Sequence, residues 1–578
     1  MSSASDLSAF EHSVEPATGE VLFSGKKWTY IQDSSSTSGQ YSGQIQLNLS
    51  SISSQAAFVN WSEAVIQLPV KLQILNGSGS SITSAAAATI DQLVPKAGAW
   101  QFIDSVSVVI DGVTVQTNQI HENVNAIFKA LTEWSLQDAQ KYGPTSTFAL
   151  DSYDPPATNC PQGLDNLPTA QFMQATANLG EFGLANTYSN SGARERSLFT
   201  SINTSANSLA YDVAGSVANA QAVAKPLVYV APAGGVAVGA PFYVAHYIAT
   251  IRLADICDFF KKTPMSKNAK GFIYLNYNSS QTSITTGGSP GVVSAGNIAS
   301  IATNMRFGNT CPILYNVASA TTTAAMSNSG VLTATGLTVP GNSTLTVTAD
   351  IDGTLTSGTS LSPSQSFCRL LVPTYMPNPT ADHALVQKKS FRYFERMTNK
   401  FTVGANQAFT FTLTNGIANP KKLFLQPVIT NPTAASTVSD TINPFRSPFS
   451  TVPATTSPFV GLKSLQCTVG NIPIWNNPVS FGYDLFVQEM QASGVDGGLD
   501  DDSKECLLSQ RQWESLYRFV AVDIGRRLPS EDGASKSIIL SGTNNSNYAI
   551  TVYYHIWRDA VATTDTAMGT VSQGATQI

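Results

Sequence analysis

The sequence offers few residues whose type and spacing would support catalysis or metal binding. The five histidines, at positions 12, 121, 246, 383 and 555, are scattered and form neither an H-x-x-x-H nor an H-E-x-x-H pair. Those spacings would place two imidazoles on one face of a helix, where zinc is bound. A zinc or iron site would need distant residues to converge, so we expect no metal and no cofactor at these positions.

Two short motifs match known chemistry only in outline. Residues 287–291 read G-G-S-P-G, but a nucleophile elbow needs a strand before the serine and a helix after it, and this segment is rich in Ser and Gly. Residues 19–27 resemble a phosphate-binding loop with one residue too many, and Lys27 stands where Ser or Thr would bind Mg²⁺. We expect neither nucleophilic catalysis nor nucleotide binding, and therefore no enzyme.

An acidic loop contains the main, though weak, metal candidates, and Asp350-Ile-Asp352-Gly353 is weaker still. The loop's carboxylates are Asp496, Asp500, Asp501 and Asp502. Hard cations prefer clustered oxygen ligands, but this spacing does not match an EF-hand. A solvated acidic loop is the main interpretation, with divalent-cation binding as the alternative.

Two small clusters of basic residues are candidates for contacts between subunits. They are Arg194 with Arg196, and Arg526 with Arg527. Ordinary pairing at the surface is the simpler interpretation, because most exposed ion pairs contribute little. Salt bridges between subunits are the functional alternative.

The composition favours a structural β-rich protein over a nucleic-acid-binding one. The chain has 578 residues, of which 42% are hydrophobic and only 12% charged, about half the usual charged share. The net charge is −6 and no long Lys/Arg run occurs, so we expect no direct, sequence-specific binding of nucleic acid. Length and composition suit two large β domains with long loops.

Cysteine usage and the N-terminus predict a protein that is made inside a cell and not secreted. The six cysteines include no C-x-x-C, and the closest pair, Cys467 and Cys506, are 39 residues apart. This pattern predicts reduced thiols, most of them buried. The first 20 residues show neither the basic nor the apolar region of a signal peptide.

One uncharged stretch is long enough to cross a membrane. Residues 226–251 contain no Asp, Glu, Lys or Arg. Three prolines and three glycines divide the stretch into pieces of strand length. We expect two buried strands with a turn between them, and the sequence does not settle whether the protein associates with a membrane.

Period-2 alternation of apolar residues recurs along the chain, as in residues 44–49, 105–110, 273–277 and 409–413, and predicts strands with one buried face. Asp111-Gly112 between two such runs predicts a hairpin. Helical spacing is rare. Its best example, residues 122–140, places Phe128 and Trp134 on one face; we expect both in the core, with an anchoring role at a subunit interface as the alternative. A second helix is predicted around residues 483–490.

Two segments suggest an internal duplication. Residues 103–115 resemble residues 462–474 at an offset of 359, and residues 66–70 resemble residues 425–428 at nearly the same offset. Each longer segment is followed by a helical pattern. We therefore expect an arm at 1–24, one β unit at 25–310, a second at 311–562 and a tail at 563–578.

Several segments resemble the major capsid proteins of polinton-like viruses and virophages. Residues 25–74 carry Trp28, Ile31 and Asp33, then the sequence Gly39-Gln-Tyr before a strand, and FVNWSEAVIQLPV follows at the expected place. Residues 251–265, IRLADICDFFKKTPM, resemble the segment before the closing strand of the first domain. Residues 443–474 resemble its counterpart in the second domain.

This resemblance implies an all-β double jelly roll, two tandem eight-stranded sandwiches with a few short helices in loops. It implies homotrimeric capsomers of pseudo-hexameric outline that tile an icosahedral shell, and hence a virion capsid location. Penton and minor capsid or cement proteins would be further partners. The alternative function is a carbohydrate-binding or adhesive β-sandwich protein, although no aromatic platform, calcium loop or secretion signal is visible. A glycoside hydrolase would need two carboxylates across a groove, and nothing indicates such a pair.

Overall fold

The computed structural model describes most of the two β-rich halves of the chain. The residues described are 22–52, 57–78, 93–151, 196, 227–230, 237–288, 291–292, 298–308, 310–315, 338–339, 342–354, 365–379, 385–430, 462–490, 506–525, 529–531 and 533–574.

Strands dominate the described residues. In the first half they are β1 (Phe23–Gln32), β2 (Gln44–Asn48), β3 (Phe58–Val59), β4 (Val65–Ser78), β5 (Leu93–Pro95), β6 (Ile103–Ile110), β7 (Val113–Gln119), β8 (Leu227–Val230), β9 (Pro241–Arg252), β10 (Gly271–Tyr277), β11 (Ser280–Thr286), β12 (Gly291–Val292), β13 (Ile298–Met305), β14 (Ile313–Tyr315), β15 (Thr338–Val339), β16 (Thr344–Ile351) and β17 (Arg369–Pro377). In the second half they are β18 (Lys388–Val403), β19 (Ala408–Ala418), β20 (Pro420–Ile429), β21 (Leu462–Val469), β22 (Ile472–Pro473), β23 (Val520–Asp523), β24 (Ser535–Asn544), β25 (Ile550–Asp565) and β26 (Val571–Gly574).

The helices described are short. They are α1 (Glu122–Glu133), α2 (Leu136–Tyr142), α3 (Leu253–Ile256), α4 (Asp258–Lys262), α5 (Tyr483–Met490) and α6 (Gln510–Ser515). Single 3₁₀ turns occur at Leu49–Ile52, Trp61–Glu63, Ala99–Phe102 and Pro529–Glu531.

The first half forms a sandwich of two antiparallel sheets. One sheet has the hydrogen-bonded order β1-β17-β4-β9, and the other has the order β2-β10-β6-β7. The alternating residues predicted from the sequence, such as Ile45, Val106 and Ile273, are fully buried between the sheets. Strands β16, β11 and β13 extend the first sheet beyond the far end of β4. We call this unit the first sandwich.

The second half repeats the same order. One sheet reads β18-β25-β20-β23 and the other reads β19-β24-β21-β22. Phe401 of β18 packs against Phe409 and Phe411 of β19, so the inner faces of the two sheets meet in an aromatic core. We call this unit the second sandwich.

Strand order confirms the predicted duplication. Position by position, β1, β17, β4 and β9 correspond to β18, β25, β20 and β23, and β2, β10, β6 and β7 correspond to β19, β24, β21 and β22. The two sequence echoes lie at equivalent places, one on β4 and β20, the other on the hairpins β6–β7 and β21–β22. Each hairpin is followed by a helix, α1 or α5. The fold is therefore a double jelly roll.

The boundary expected at residue 310 differs from the observed pairing. Strands β16 and β17 return to pair with β4 and β1, so the first sandwich extends to Pro377 and the second begins at Lys388. Strands β11, β13, β14 and β16 lie between β10 and β17 in the chain and pair with one another or with strands of the first half, so residue 310 does not separate the domains. The pairing of the first strand with the last is non-local, and apolar alternation alone does not report it.

The expected free tail at 563–578 is also wrong for most of its length. Strand β25 continues to Asp565, and β26 pairs back on it with Val571 buried. Of the expected N-terminal arm, only residues 22–24 are described, and Phe23 already begins β1.

The predicted helix at 122–140 is two helices. Helix α1 ends at Glu133, and α2 begins after Ser135, whose hydroxyl accepts a hydrogen bond from the Asp138 amide while the Asp138 carboxylate accepts one from the Ser135 amide. This capping box stabilises a new helix start, which interrupts the apolar periodicity.

Other local predictions are confirmed. Asp111 and Gly112 both have positive φ, 50° and 79°, and join β6 to β7. The uncharged stretch at 226–251 contains the paired strands β8 and β9. Within the described residues, no helix combines the length and apolar character needed to span a bilayer.

Candidate functional site

Among the described residues, apolar and charged side chains meet at the junction between the two sandwiches. Helix α1 of the first sandwich lies on the outer face of sheet β18-β25-β20-β23. The Phe128 ring stacks on Phe424 with centroids 3.9 Å apart and an interplanar angle of 5°. Phe519 and Trp557 meet the same ring edge-on at 5.2 and 5.7 Å. Such rings bury large apolar areas and prefer these geometries.

Polar side chains beside this aromatic cluster are paired across the junction. The Trp557 indole Nε1 donates to Asn125 Oδ1 at 3.0 Å. Arg396 of β18 forms an ion pair with Glu122 of α1 at 2.6 Å, and both side chains are almost fully buried. A buried ion pair contributes little net stability, but breaking it is costly because one charge is left without a partner. The pair therefore specifies how α1 sits on the sheet.

Side chains of the first sandwich also accept hydrogen bonds from backbone N–H groups at the outer edge of β18. Asp258 Oδ2 accepts from the Phe394 amide at 2.8 Å, and Gln119 Oε1 accepts from the Thr398 amide at 3.1 Å. Exposed strand edges invite pairing with other chains. At this edge, the junction provides acceptors that bind the N–H groups.

Asp258 is held in turn by Lys129 of α1, 3.6 Å away. Desolvation lowers the pKa of Lys129, but the negative charges of Asp258 and Glu133 more than offset it, so the net pKa lies above the ordinary lysine value. Lys129 is therefore a stable cation inside the junction.

His555 is buried in the same region and remains neutral. Its ring stacks on Phe424 at 4.3 Å, and Nδ1 lies 2.8 Å from Thr398 Oγ1. Desolvation, followed by the positive charge of Arg396, holds its pKa well below the ordinary histidine value. It acts as a packed aromatic ring, and its Nδ1 also lies 3.3 Å from Arg396 Nη1.

Further contacts join the sandwiches beyond the aromatic cluster around Phe128. Phe259 of α4 packs against Phe391 and Tyr393 of β18, both at 5.3 Å. Backbone and side-chain hydrogen bonds also cross the boundary, among them Asp151 to Tyr517, Leu507 to Leu131, Lys267 to Thr566 and Gln573 to Thr114. A single contiguous cluster of buried apolar residues runs through both units. The two sandwiches thus form one block with a fixed relative position.

A cleft at the junction is lined by charged residues, including Glu122, Asp258 and Glu395. Each carboxylate has a cation: Arg396 for Glu122, Lys129 for Asp258, and Arg558 for Glu395, the last at 2.9 Å. Carboxylates paired with cations in this way hold the surrounding helices and strands in position. The arrangement therefore supports a structural role for the cleft.

The structure places three of the predicted interface residues inside the chain. Phe128 and Trp134 are buried, as the core interpretation expected; Trp134 packs on Trp100 and Phe148. Arg196 is fully buried, which corrects its assignment to a subunit interface. Its guanidinium donates to the carbonyls of Pro95 and Ala149 and pairs with Asp151 at 2.6 Å.

Several predicted residues lie outside the described part of the chain. They are Arg194, Arg526 and Arg527, and the acidic-loop residues Asp496, Asp500, Asp501 and Asp502. Among the residues that are described, no three His, Cys, Asp or Glu side chains converge in a way that could hold a metal ion.

One surface feature was missed from the sequence. Trp28 and Tyr30, two residues apart on β1, are 54% and 55% exposed. Alternation places both on the outer face of sheet β1-β17-β4-β9. Lys26 lies over the Trp28 ring at 5.2 Å and Arg369 over the Tyr30 ring at 4.9 Å. We call this surface, with its neighbours Leu371 and Val65, the aromatic face.

Comparisons with known proteins find distant similarity over nearly the whole chain. No protein-family model matches it, and no curated protein matches it by sequence. Among solved structures, it is similar to a chain of the Sputnik virophage, with 10% identity, a TM-score of 0.48, and coverage of 97% of this chain and 90% of that one.

Two further structures show the same extent of similarity. For the mavirus major capsid protein the identity is 10%, the TM-score 0.44 and the coverage 98% and 94%. For the Faustovirus major capsid protein the values are 8%, 0.43, 97% and 94%. The double jelly roll described above rests on the strand order of this chain itself.

Proposed function

We propose that this protein is a structural capsid subunit, assembling as a homotrimeric capsomer that tiles an icosahedral virus shell. The observation that carries the proposal is the pair of sandwiches with identical strand order, held in one block by the junction. Three such blocks present six similar corners, the outline that a hexagonal lattice requires. The resemblance of residues 25–74 and 443–474 to virophage-type capsid proteins favours the same function.

The surface chemistry suits this function. With only 12% charged residues, the chain can bury broad areas against neighbours without desolvating many charges. We expect each subunit to bury well above about 2,000 Å² in the trimer, as obligate assemblies do. The proposed function lies in these surfaces and involves no catalysis and no cofactor.

The proposal extends to location and partners. The subunit would be made inside the host cell and reside in the virion capsid. Neighbouring capsomers, penton proteins and minor capsid or cement proteins would be its partners. The unassigned arginines Arg194, Arg526 and Arg527 remain candidates for salt bridges with these neighbours.

Light scattering on the purified chain tests the proposal directly. A stable species near three times 61.2 kDa, with hexagonal particles in negative-stain micrographs, would support it. A well-behaved monomer that binds glycans on an array would contradict it and favour the adhesive β-sandwich alternative.

A further inference from the structure

The two equivalent sheets of the double jelly roll differ in what covers their outer faces. The outer face of β18-β25-β20-β23 is covered by α1 and by the ends of the elements flanking it. The corresponding face of β1-β17-β4-β9 is open at the aromatic face, on β1, β17 and the start of β4, and is buried farther along, at Lys71 and His246. Its Trp28 and Tyr30 are more than half exposed, and Leu371 and Val65, which pair with each other across the strands, are partly exposed.

The internal duplication identifies the element that matches α1. Helix α5 follows hairpin β21–β22 as α1 follows β6–β7. At the same offset of 359, the buried positions Ile127 and Leu131 of α1 correspond to Phe486 and Met490 of α5, which are also buried. The two helices therefore present the same faces to their own sandwiches.

The positions of α5 that correspond to the junction residues of α1 are not buried against another sheet. In α1, Asn125, Phe128 and Lys129 face the second sandwich and are buried. The corresponding residues of α5 are Asp484 and Gln488, which are exposed, and Val487, which is partly exposed. Ile472, at the start of the preceding β22, is 66% exposed.

The two open surfaces carry opposite charges at Arg369 of the aromatic face and Asp484 of α5. Helix α5 carries acidic residues and no basic one, with Asp484 exposed. At the aromatic face, Arg369 lies over the Tyr30 ring, and Lys26, which is paired with Glu63 at 2.6 Å, lies over the Trp28 ring. The internal junction uses the same polarity, since Glu122 on the helix pairs with Arg396 on the sheet.

We infer that the aromatic face of one copy of this chain receives α5 and Ile472 of a second copy, so that the contact between subunits repeats the junction within each subunit. This assigns the proposed capsomer a specific interface, and it rests on the proposed function. Such a head-to-tail contact joins unlike surfaces and closes into a ring when the rotation permits. Trp28 and Tyr30 are its aromatic anchors.

Substitution of the two surfaces tests the inference. Trp28→Ser with Tyr30→Ser, and separately Asp484→Lys with Val487→Ser, should each shift the trimer to monomer in sedimentation-velocity runs. For the Trp28 change alone we expect the protomer concentration at half-dissociation to rise about thirtyfold or more, the usual effect of removing a central tryptophan. Met568→Ser is the matched control, since Met568 is 64% exposed and lies outside both surfaces. Circular dichroism checks that every variant is folded.

Crosslinking provides a second readout that does not depend on destabilising the trimer. Gln32→Cys at the aromatic face and Gln488→Cys on α5 are combined in a chain whose Cys160 and Cys506 are serine. A short bismaleimide should then join different subunits, while the Met568→Cys and Gln488→Cys pair should not.

The outcomes separate the inference from the proposed function. A wild-type trimer that survives both double substitutions and gives no Gln32–Gln488 crosslink would overturn the interface and leave the capsid proposal standing. A wild-type monomer that forms no particles would overturn the capsid proposal itself. Loss of glycan binding in the Trp28 and Tyr30 variant, with an unchanged oligomeric state, would also overturn the interface.

Discussion

Replacing Phe128 by alanine tests whether the two sandwiches are coupled thermodynamically. The ring is fully buried, and three of its aromatic partners, Phe424, Phe519 and Trp557, belong to the second sandwich. Buried Phe→Ala changes cost about 3–5 kcal/mol, and each well-oriented aromatic pair adds about 0.5–1.5 kcal/mol beyond burial. We expect a loss of about 4 kcal/mol in the free energy of unfolding.

Because the lost contacts cross the boundary, the loss should fall on the coupling between the units. In urea titrations followed by tryptophan fluorescence, the wild type should unfold in one main transition. Phe128→Ala should lower the midpoint and separate two transitions. Hydrogen exchange should show faster exchange at the Phe394 and Thr398 amides, whose acceptors lie on the first sandwich.

Two variants serve as controls. Phe128→Leu keeps most of the apolar volume and should cost about 1 kcal/mol. Phe102→Ala removes an equally buried ring that contacts Tyr247 within the first sandwich, so it should destabilise that sandwich without increasing amide exchange along β18. If Phe128→Ala costs under about 1 kcal/mol, a small value for a buried ring, or leaves exchange at Phe394 unchanged, the junction does not couple the sandwiches.

Three further outcomes are expected. Glu122→Gln should lower the free energy of unfolding by about 3–5 kcal/mol because it leaves Arg396 buried without its charge partner. The double variant with Arg396→Met should lose less than the sum of the losses in the two single variants. Additive losses, measured by urea unfolding, would argue against the ion pair. Desolvation and the neighbouring Lys71 lower the pKa of His246 to about 4, so folding favours the neutral ring and stability should fall by about 2 kcal/mol between pH 7 and pH 5 as the unfolded histidine takes up a proton. The measurement is the free energy of unfolding of the wild type and of His246→Gln at pH 7 and pH 5. Asp350, with a pKa of about 6, titrates in both proteins, so its contribution cancels in the difference. An equal dependence of stability on pH in the two proteins would refute the prediction. In the native protein, iodoacetamide should modify the exposed Cys506 before the four buried cysteines among the described residues, and mass spectrometry showing early modification of the buried thiols would contradict their assigned burial.

Local signals in the sequence were sufficient for the hairpins and the duplication. Asp111-Gly112 predicts the β6–β7 turn because both residues tolerate positive φ. The echo of this hairpin at residues 462–474 then locates the second copy. These features depend on neighbouring residues, so a linear pattern contains them.

Long-range pairing was not available from the same patterns. Strand β17 pairs with β1 across most of the first half of the chain, and no local signal reports which strands meet. The burial of Arg196 depends likewise on two carbonyls and a carboxylate brought together from distant segments. The expected boundary at 310 and the expected surface arginine were wrong for this shared reason.

One signal for the junction was present in the sequence and was not used. In β25, residues 550–557 read ITVYYHIW, in which Val552, Tyr554 and Ile556 face the core while Tyr553, His555 and Trp557 are also buried. A run without polar alternation indicates a strand covered on both faces. The same reading distinguishes β1, where Lys26, Trp28 and Tyr30 leave one face open.

The contrast between α1 and α5 follows from when each helix meets its sheet. Helix α1 finds its sheet within the same chain, so its contacts form during folding and its buried charges, Glu122 and Lys129, need no exposure to water afterwards. Helix α5, if it meets its sheet only in a second subunit, must keep the free protomer soluble until then. An exposed aspartate and glutamine with a half-covered valine satisfy that requirement better than a phenylalanine and a buried lysine would. The duplicated helix therefore carries different side chains in its two copies. Replacing Val487 of α5 with Phe, the residue at the corresponding position of α1, should strengthen the trimer and make the free protomer prone to aggregate. Light scattering at matched protein concentrations measures both effects.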